Sequence, residues 1–402
     1  MTARTTTALV AIAAMTFAGT PEIDASTWPQ QTTFRDSAGI RIVENTRPPE
    51  DSRLDWRIGA EPLVSIGSTM GDEDPYLFTR VFGITRLSDG RIVIGDEGAK
   101  ELRVFDQQGY HLETWGGYGE GPGEFGGNQL WGLARLPGDS IIVWHFWYPG
   151  MQAFGPDGEA LRRFMPERAM WDTWDRRSHL WPLAVSRGGL VLAGQDDVYH
   201  DPGVVEVWDA AGKLRGSLGM HPGRELDRER DENDPDPVML GYSVTRRPWG
   251  DQFIVGTNRR YEFRVFALDG SLARIVRLDY ELRAPTRAHI DAEIARRAGS
   301  GESEFVVRRR REYREAPVAE YLPAYYYVDT DALDNLWVRE YEAPGEDAPG
   351  RLWTIFDPDG RILGYFETPE GMGVYEIGED YILGVTRDEM DVATVHMWSL
   401  ER

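Results

Sequence analysis

The sequence predicts an all-β protein, a ring of six four-stranded antiparallel blades known as a six-bladed β-propeller. Three observations predict this fold. One strand-and-turn signature recurs six times, a second turn precedes each copy, and the last copy runs out of chain before its fourth strand. Four short strands repeated every ~40–60 residues are typical of a propeller blade.

The recurring signature is an apolar run of strand-like alternation that ends in an aromatic residue. The six aromatic residues are Phe105, Phe154, Trp208, Phe266, Phe356 and Trp398. A turn with glycine follows the first five, at Gln108-Gly109, Asp157-Gly158, Ala211-Gly212, Asp269-Gly270 and Asp359-Gly360. Such pairs suit the positive φ angles of tight hairpins, so each signature predicts the third strand of a blade, a turn and a fourth strand.

The earlier turn of each copy predicts the first two strands. These turns are Asp89-Gly90, Gly138-Asp139, Gly188-Gly189, Gly250-Asp251, Asp334-Asn335 and Glu379-Asp380. A β-branched or apolar run follows each of them, as in Arg91–Ile94. Each copy is therefore predicted as strand, turn, strand, loop, strand, turn, strand, and six copies predict six blades over residues 36–402.

The last blade needs a strand from elsewhere, because only four residues follow Trp398. Two segments near the N-terminus, Gly39–Val43 and Pro62–Ile66, have strand-like alternation and no place in the six copies. We expect one of them to pair with residues 392–400 and close the ring, since closure removes exposed sheet edges. The pattern leaves open which of the two does so.

Two insertions interrupt the repeats, at about 220–240 and about 284–318. The second predicts a helix capped by Thr286 and ended by Gly299, with apolar residues at Ile290, Ile294 and Ala298, and a further helical stretch over 305–313. We expect the arginine run 308–311 to form ion pairs on that stretch with nearby glutamates. The acidic run of the first insertion, residues 225–236, predicts a solvated loop.

The composition excludes several classes of function. The chain has 402 residues, with 44 basic and 67 acidic side chains and a net charge of −23. This charge argues against binding to nucleic acid or to anionic membranes. The sequence has no cysteine, which excludes disulfides, thiolate metal sites, iron–sulfur clusters and cysteine nucleophiles.

The N-terminus predicts export. Residues 1–26 have the pattern of a signal peptide, with a ten-residue apolar run over Ala8–Phe17 that is too short to span a bilayer. We expect cleavage between residues 19 and 27 and a mature protein in the periplasm or outside the cell. No other segment has the length of apolar sequence that a transmembrane helix needs.

The glycine-rich stretch Gly116–Phe125 resembles the linker between NHL repeats, which ends in Gly-Pro-Gly-Glu-Phe. Residues 87–109 resemble the rest of that repeat, and the match extends over 79–125. The chain as a whole is similar to the bacterial NHL-like six-bladed propellers, many of them exported. The resemblance implies the fold across about 36–402 and carries little about function, because one propeller fold supports many activities.

No catalytic or cofactor motif stands out, and the sequence predicts no cofactor and no metal site. The glycine-rich stretch is followed by strand-like residues instead of the helix that a phosphate-binding loop requires, so it predicts a connection between blades. The seven histidines show no metal-binding spacing, although His145, His179 and His200 fall in connections that share one face. The chain contains no Gly-x-Ser-x-Gly.

The clearest candidate for a binding site is a group of aromatic residues in loops. Residues 145–149, 171–176 and 199–200 lie in alternate connections, which emerge on one side of a propeller, here called the loop face. The predicted ligand-binding residues are Trp147, Tyr148, Trp171, Trp174, Tyr199, His200 and Arg176, flanked by Asp172 and Asp175. Aromatic rings beside charged groups suit an amphipathic ligand such as a sugar or peptide; the alternative is packing between blades.

Three functions remain open. The first is an exported binding protein that holds a small amphipathic molecule, a glycan, a peptide or a protein partner on its loop face. The second is a metal-dependent enzyme of the lactonase or lyase type, with its site at the central tunnel. The sequence has only five asparagines, and no histidine recurs at the same position of the six copies. Both facts argue against a metal site of this type. The third is a structural protein of envelope assembly.

Overall fold

The computed structural model describes residues 32–68, 74–127, 129–145, 150–164, 180–195, 200–228, 235–346 and 350–402. It forms a ring of six blades with four-stranded antiparallel sheets, which confirms the predicted fold. No helix in these ranges is long and apolar enough to cross a membrane.

Four short strands precede the first blade. They are β1 (Thr32–Ser37), β2 (Ile40–Asn45), β3 (Arg57–Ile58) and β4 (Val64–Ile66), and a 3₁₀ turn follows at Asp74–Tyr76. Blade 1 contains β5 (Val81–Arg86), β6 (Ile92–Asp96), β7 (Glu101–Phe105) and β8 (His111–Gly116). Blade 2 contains β9 (Leu130–Arg135), β10 (Ile141–His145), β11 (Met151–Phe154) and β12 (Ala160–Phe164).

The remaining blades follow the same order. Blade 3 contains β13 (Trp181–Val185), β14 (Leu190–Gly194), β15 (Gly203–Asp209) and β16 (Leu214–His221), and a small pair follows at β17 (Leu226–Asp227) and β18 (Asp236–Pro237). Blade 4 contains β19 (Val244–Trp249), β20 (Gln252–Thr257), β21 (Glu262–Phe266) and β22 (Leu272–Leu278). Blade 5 contains β23 (Tyr325–Thr330), β24 (Leu336–Glu340), β25 (Gly350–Phe356) and β26 (Ile362–Pro369), and blade 6 contains β27 (Gly373–Ile377), β28 (Tyr381–Arg387) and β29 (Ala393–Glu401).

The ring is closed by β4, which answers the question that the pattern left open. Val64–Ile66 pairs antiparallel with the C-terminal strand β29 and supplies the fourth strand of blade 6. The other segment, β2, instead pairs in parallel with β22, at the outer edge of blade 4. Since β1 pairs with β2, this blade becomes a six-stranded sheet.

The chain between β2 and β3 runs along the outer edge of blade 5. The backbone nitrogen of Leu54 donates to the oxygen of Tyr365, and the nitrogen of Tyr365 donates to the oxygen of Ser52. Trp56 then packs against Trp337 and Phe366 in the interface of blades 5 and 6. The N-terminal segment thus joins three consecutive blades.

The first helix of the insertion has the predicted ends, and the second is longer than the predicted stretch over 305–313. Helix α1 (Arg287–Ala298) begins at the Thr286 cap and ends at Gly299, and α2 (Glu304–Glu315) follows. Ile294 packs with Leu322 and with Met239 and Leu240, which end the first insertion beyond its acidic run. The helices therefore rest on the neighbouring blade connections.

The arginine run lies on α2 and forms ion pairs, as expected. Arg308, Arg310 and Arg311 lie within 3.8, 3.3 and 3.5 Å of Glu312, Glu302 and Glu315, respectively. Arg309 is different, because its guanidinium donates to the Tyr313 hydroxyl and lies over the Phe305 ring.

Candidate functional site

The first strand of each blade lines a central channel. These strands are β5, β9, β13, β19, β23 and β27, and consecutive members contact one another around most of the ring. Because every blade repeats the same strand order, all six run in the same direction along the channel. Their N-terminal ends lie at the loop face, and their C-terminal ends lead into the turns of the opposite face, here called the turn face.

A cavity of about 620 Å³ occupies the channel towards the turn face. Residues of all six first strands line it, together with turn residues such as Gly138, Gly250 and Gly378. Its volume falls within the range of ~300–1,000 Å³ that is common for small-molecule sites.

Six residues at equivalent positions of the first strands form a ring in this cavity. They are Thr85, Ala134, Ala184, Arg247, Asp329 and Glu376, here called the channel ring. Blades 4, 5 and 6 therefore contribute three charged side chains, whereas blades 2 and 3 contribute only methyl groups. The channel ring therefore has one polar side and one side of small, apolar residues.

Most charged groups beside the channel ring already have partners. Glu376 accepts hydrogen bonds from the hydroxyls of Thr85 and Tyr381 and so links blade 6 to blade 1. Burial and the nearby Glu376 carboxylate raise the pKa of Tyr381, which keeps its hydroxyl protonated as the donor. Arg135 lies 3.3 Å from Asp139.

Arg247 and Asp329 are the exceptions. Arg247 donates to the main-chain oxygen of Arg246 at 3.1 Å, and Asp329 accepts from the main-chain nitrogen of Thr330 at 2.8 Å. Within the part of the chain that the structure describes, neither side chain has another hydrogen bond or an ion pair. Burial raises the pKa of Asp329, although the positive charge of Arg247 opposes that shift.

The N-terminal ends of the first strands β9 and β23, at the loop face, carry two half-exposed aromatic rings. Trp131 of β9 is 52% exposed and Tyr326 of β23 is 54% exposed. Each lies at a bulge, where the register of pairing with the second strand shifts by one residue. Blades 2 and 5 are opposite in a six-membered ring, so the two strands lie on opposite sides of the channel. The Arg339 guanidinium lies 4.5 Å from the centre of the Tyr326 ring.

The sequence did not single out Trp131 or Tyr326. Both lie at the start of predicted first strands, where an aromatic residue is ordinarily read as blade packing. A bulge at the same position of β5 skips Phe82, and bulges nearer the channel ring skip Leu183 of β13 and Tyr375 of β27; all three residues are less exposed. The residue pattern of one strand does not show where a bulge occurs or which side chain it exposes. Trp131 and Tyr326 could therefore not be predicted from the sequence alone.

The aromatic platform predicted from the loops stays a prediction. Trp147, Tyr148, Trp171, Trp174, Arg176 and Tyr199, with Asp172 and Asp175, lie outside the described residues. His200 is described and is half-buried at the loop face, and its Nδ1 atom is buried without a hydrogen-bond partner in the described ranges.

The histidines do not form a metal site in the described part of the chain. No group of three or more His, Asp or Glu side chains there is placed to hold a metal ion. His145 is 8% exposed and packs edge-on against Phe125, with ring centres 6.3 Å apart, while His179 lies outside the described residues.

The glycine-rich stretch joins blade 1 to blade 2, as predicted. The nitrogens of Phe125 and Gly126 donate back to the oxygens of Gly117 and Gly119, which folds the stretch on itself. The guanidinium of Arg163 on β12 donates to the oxygens of this loop. The stretch leads into β9 and has no helix after it.

Comparisons with known proteins support the fold and no more. No family model matches the sequence, and no curated protein is similar to it. Among solved structures, a Bacteroides fragilis protein inferred to be exported has 13% identity and a TM-score of 0.50, over 90% of this chain and 99% of that one.

Two further structures are more distant. A member of the DUF4221 family from Bacteroides vulgatus has 10% identity and a TM-score of 0.48, over 86% of this chain and 99% of that one. Virginiamycin B lyase from Staphylococcus aureus has 10% identity and a TM-score of 0.41, over 87% and 100%. At such identities a shared propeller says nothing about a shared reaction.

Proposed function

We propose that this chain is an exported binding protein that holds a small amphipathic ligand at the loop-face mouth of its channel. The pair Trp131 and Tyr326 carries the proposal. Two large rings stay half exposed at the loop-face ends of first strands on opposite sides of the channel, although burial would remove them from water. Aromatic faces of this kind stack on the apolar face of a sugar or on a peptide side chain.

The surroundings of the mouth suit a ligand that also carries polar groups. Arg339 stacks on Tyr326, and Glu342 lies 3.8 Å from Arg339, so donors and acceptors adjoin the aromatic surface. We expect the loops with Trp147, Trp171 and Trp174, which lie outside the described residues, to enter the same face. We expect their rings to extend the platform that begins at Trp131.

Export and family relationship belong to the same proposal. We expect the mature chain to begin between residues 19 and 27, which N-terminal sequencing of protein from the native host would establish. Recovery of intact Met1 in fully soluble cytoplasmic protein would contradict export. The proposed relationship to NHL repeats is based on the similarity of residues 79–125 to that repeat.

A glycan and peptide array tests the proposal directly. The wild-type protein should bind one class of compound, and Trp131→Ala and Tyr326→Ala should each weaken binding by ~1–3 kcal/mol. Tyr110→Ala is the matched control, because Tyr110 is 60% exposed in the turn between β7 and β8 and away from the channel. An array without hits, or hits that survive both channel variants, would refute the proposal.

A further inference from the structure

The cavity at the turn face contains two opposite charges that the fold leaves largely unsatisfied. Arg247 and Asp329 occupy equivalent positions of the channel ring on adjacent blades, within mutual electrostatic reach and without an ion pair between them. In the described residues each makes one hydrogen bond to the backbone. A guanidinium has five donors and a carboxylate has two acceptor oxygens, so most of their capacity faces the cavity.

Other charged side chains beside the cavity already have partners and are less available to a ligand. Glu376 is engaged by Thr85 and Tyr381, and Arg187 lies 3.8 Å from Asp334 and donates to a main-chain oxygen. Burying a charge without a partner is costly, so a site that keeps both signs available is suited to a ligand with both signs.

We infer that the turn-face cavity binds a small zwitterion with a primary ammonium group and a carboxylate, such as a free α-amino acid. The ligand carboxylate would pair with the Arg247 guanidinium, which can form two parallel hydrogen bonds with it. The ligand ammonium would donate to Asp329. These two groups on neighbouring blades recognise the two ends of the same ligand.

The residues on the opposite side of the channel ring favour a ligand with an apolar side chain. Ala134 and Ala184 present only methyl groups, and Leu133 and Leu183 line the cavity beside them. The ring positions on this side leave room for an apolar side chain and carry no charge. Arg135 and Arg187, which also line the cavity from blades 2 and 3, are paired with Asp139 and Asp334. The site should therefore prefer L-leucine to glycine. It does not depend on the loop-face site, because neither Trp131 nor Tyr326 lines this cavity.

Calorimetric titration of the full mature chain with L-leucine tests the inference. N-acetyl-L-leucine lacks the cationic nitrogen, and L-leucinamide lacks the carboxylate. Each lost charge-assisted contact should weaken binding by about tenfold or more. Binding of all three compounds with equal affinity would overturn the proposal, as would the absence of heat with L-leucine.

Substitutions test which residue binds the carboxylate of the ligand and which binds its ammonium group. Arg247→Gln should bind L-leucine no better than the wild type binds leucinamide, and Asp329→Asn no better than it binds the acetylated compound. Glu379→Gln is the matched control, because Glu379 lines the same cavity from an exposed turn and should keep full affinity. Ala184→Leu, which fills the apolar side and spares both charges, should abolish binding. Unchanged binding in Ala184→Leu would place the ligand elsewhere and refute the site.

Discussion

The side-chain amide of Asn45 donates a hydrogen bond to the main-chain oxygen of Gly360, 3.0 Å away, and so fastens the N-terminal segment to blade 5. The same nitrogen donates to the oxygen of Arg277 in blade 4 at 3.0 Å. Its Oδ1 atom accepts from the Ile362 nitrogen and from the Thr32 hydroxyl. One amide that is 3% exposed thus connects two blades and the hairpin that extends blade 4.

Asn45→Ala should destabilise the protein by about 3 kcal/mol. It leaves the oxygens of Gly360 and Arg277 and the nitrogen of Ile362 without partners, and each unsatisfied buried group costs ~1–3 kcal/mol, partly relieved by water. Urea unfolding measures the change. Thr32→Ala is the control, because it removes one partly buried hydrogen bond and should cost only about 1 kcal/mol. Equal stability of the two variants would contradict the role of Asn45.

Two N-terminal truncations should behave differently. A chain that begins at Thr46 loses the β1–β2 hairpin but keeps all six blades closed, so it should elute in the same association state as the full mature chain. A chain that begins at Gly67 also loses β4, which leaves β29 as an exposed edge and should cause aggregation. Size-exclusion chromatography and thermal unfolding distinguish the two. Similar behaviour of both truncations would show that β4 does not secure the ring.

The closing strands should make stability depend on pH through His396. Its ring lies 2.8 Å from the Ser65 hydroxyl and 2.9 Å from the Thr386 hydroxyl, and burial lowers its pKa below the ordinary 6.5. The unfolded chain therefore binds a proton more readily than the folded chain. Stability contributed by this residue is complete above about pH 6.5 and falls as the pH drops towards the folded pKa, by about 1.4 kcal/mol for each unit of difference.

Urea unfolding between pH 7.5 and 5.5 checks this slope. His396→Gln should be less stable than the wild type at high pH and should lose less stability as the pH falls. Burial lowers the pKa of His221 as well, so the wild-type slope contains a second contribution of the same sign. An identical slope in the wild type and in His396→Gln would rule out the titration of His396 as the cause.

The loop aromatics predicted from the sequence have a direct stability test. If Trp147 and Trp174 serve a ligand, Trp147→Ala and Trp174→Ala should melt close to the wild type. Trp208→Ala is the reference for a packed ring, since Trp208 is fully buried in blade 3 and a core aromatic costs ~3–5 kcal/mol when cut to alanine. Melting losses in the loop variants that match the loss in Trp208→Ala would identify them as packing residues.

Much of this fold could be predicted from the sequence, because its turns, strands and first helix are marked by residues close together in the chain. The glycine turns and the alternation of apolar residues lie within single hairpins, so six blades could be counted along the chain. The helix from Arg287 to Ala298 was readable for the same reason, because the Thr286 cap, the apolar spacing and Gly299 are all local signals.

The sequence by itself determined the blade count, the strand order within each blade and the need for a strand from outside the last copy. Only the tertiary structure decided that β4 closes the ring while β2 joins blade 4, since both segments have the same alternation and differ in the distant partners that they meet. The tertiary structure alone also determined which six residues meet in the channel ring. Arg247 and Asp329 become neighbours because closure of the ring brings equivalent positions of successive blades together, and no signal within one strand records that geometry.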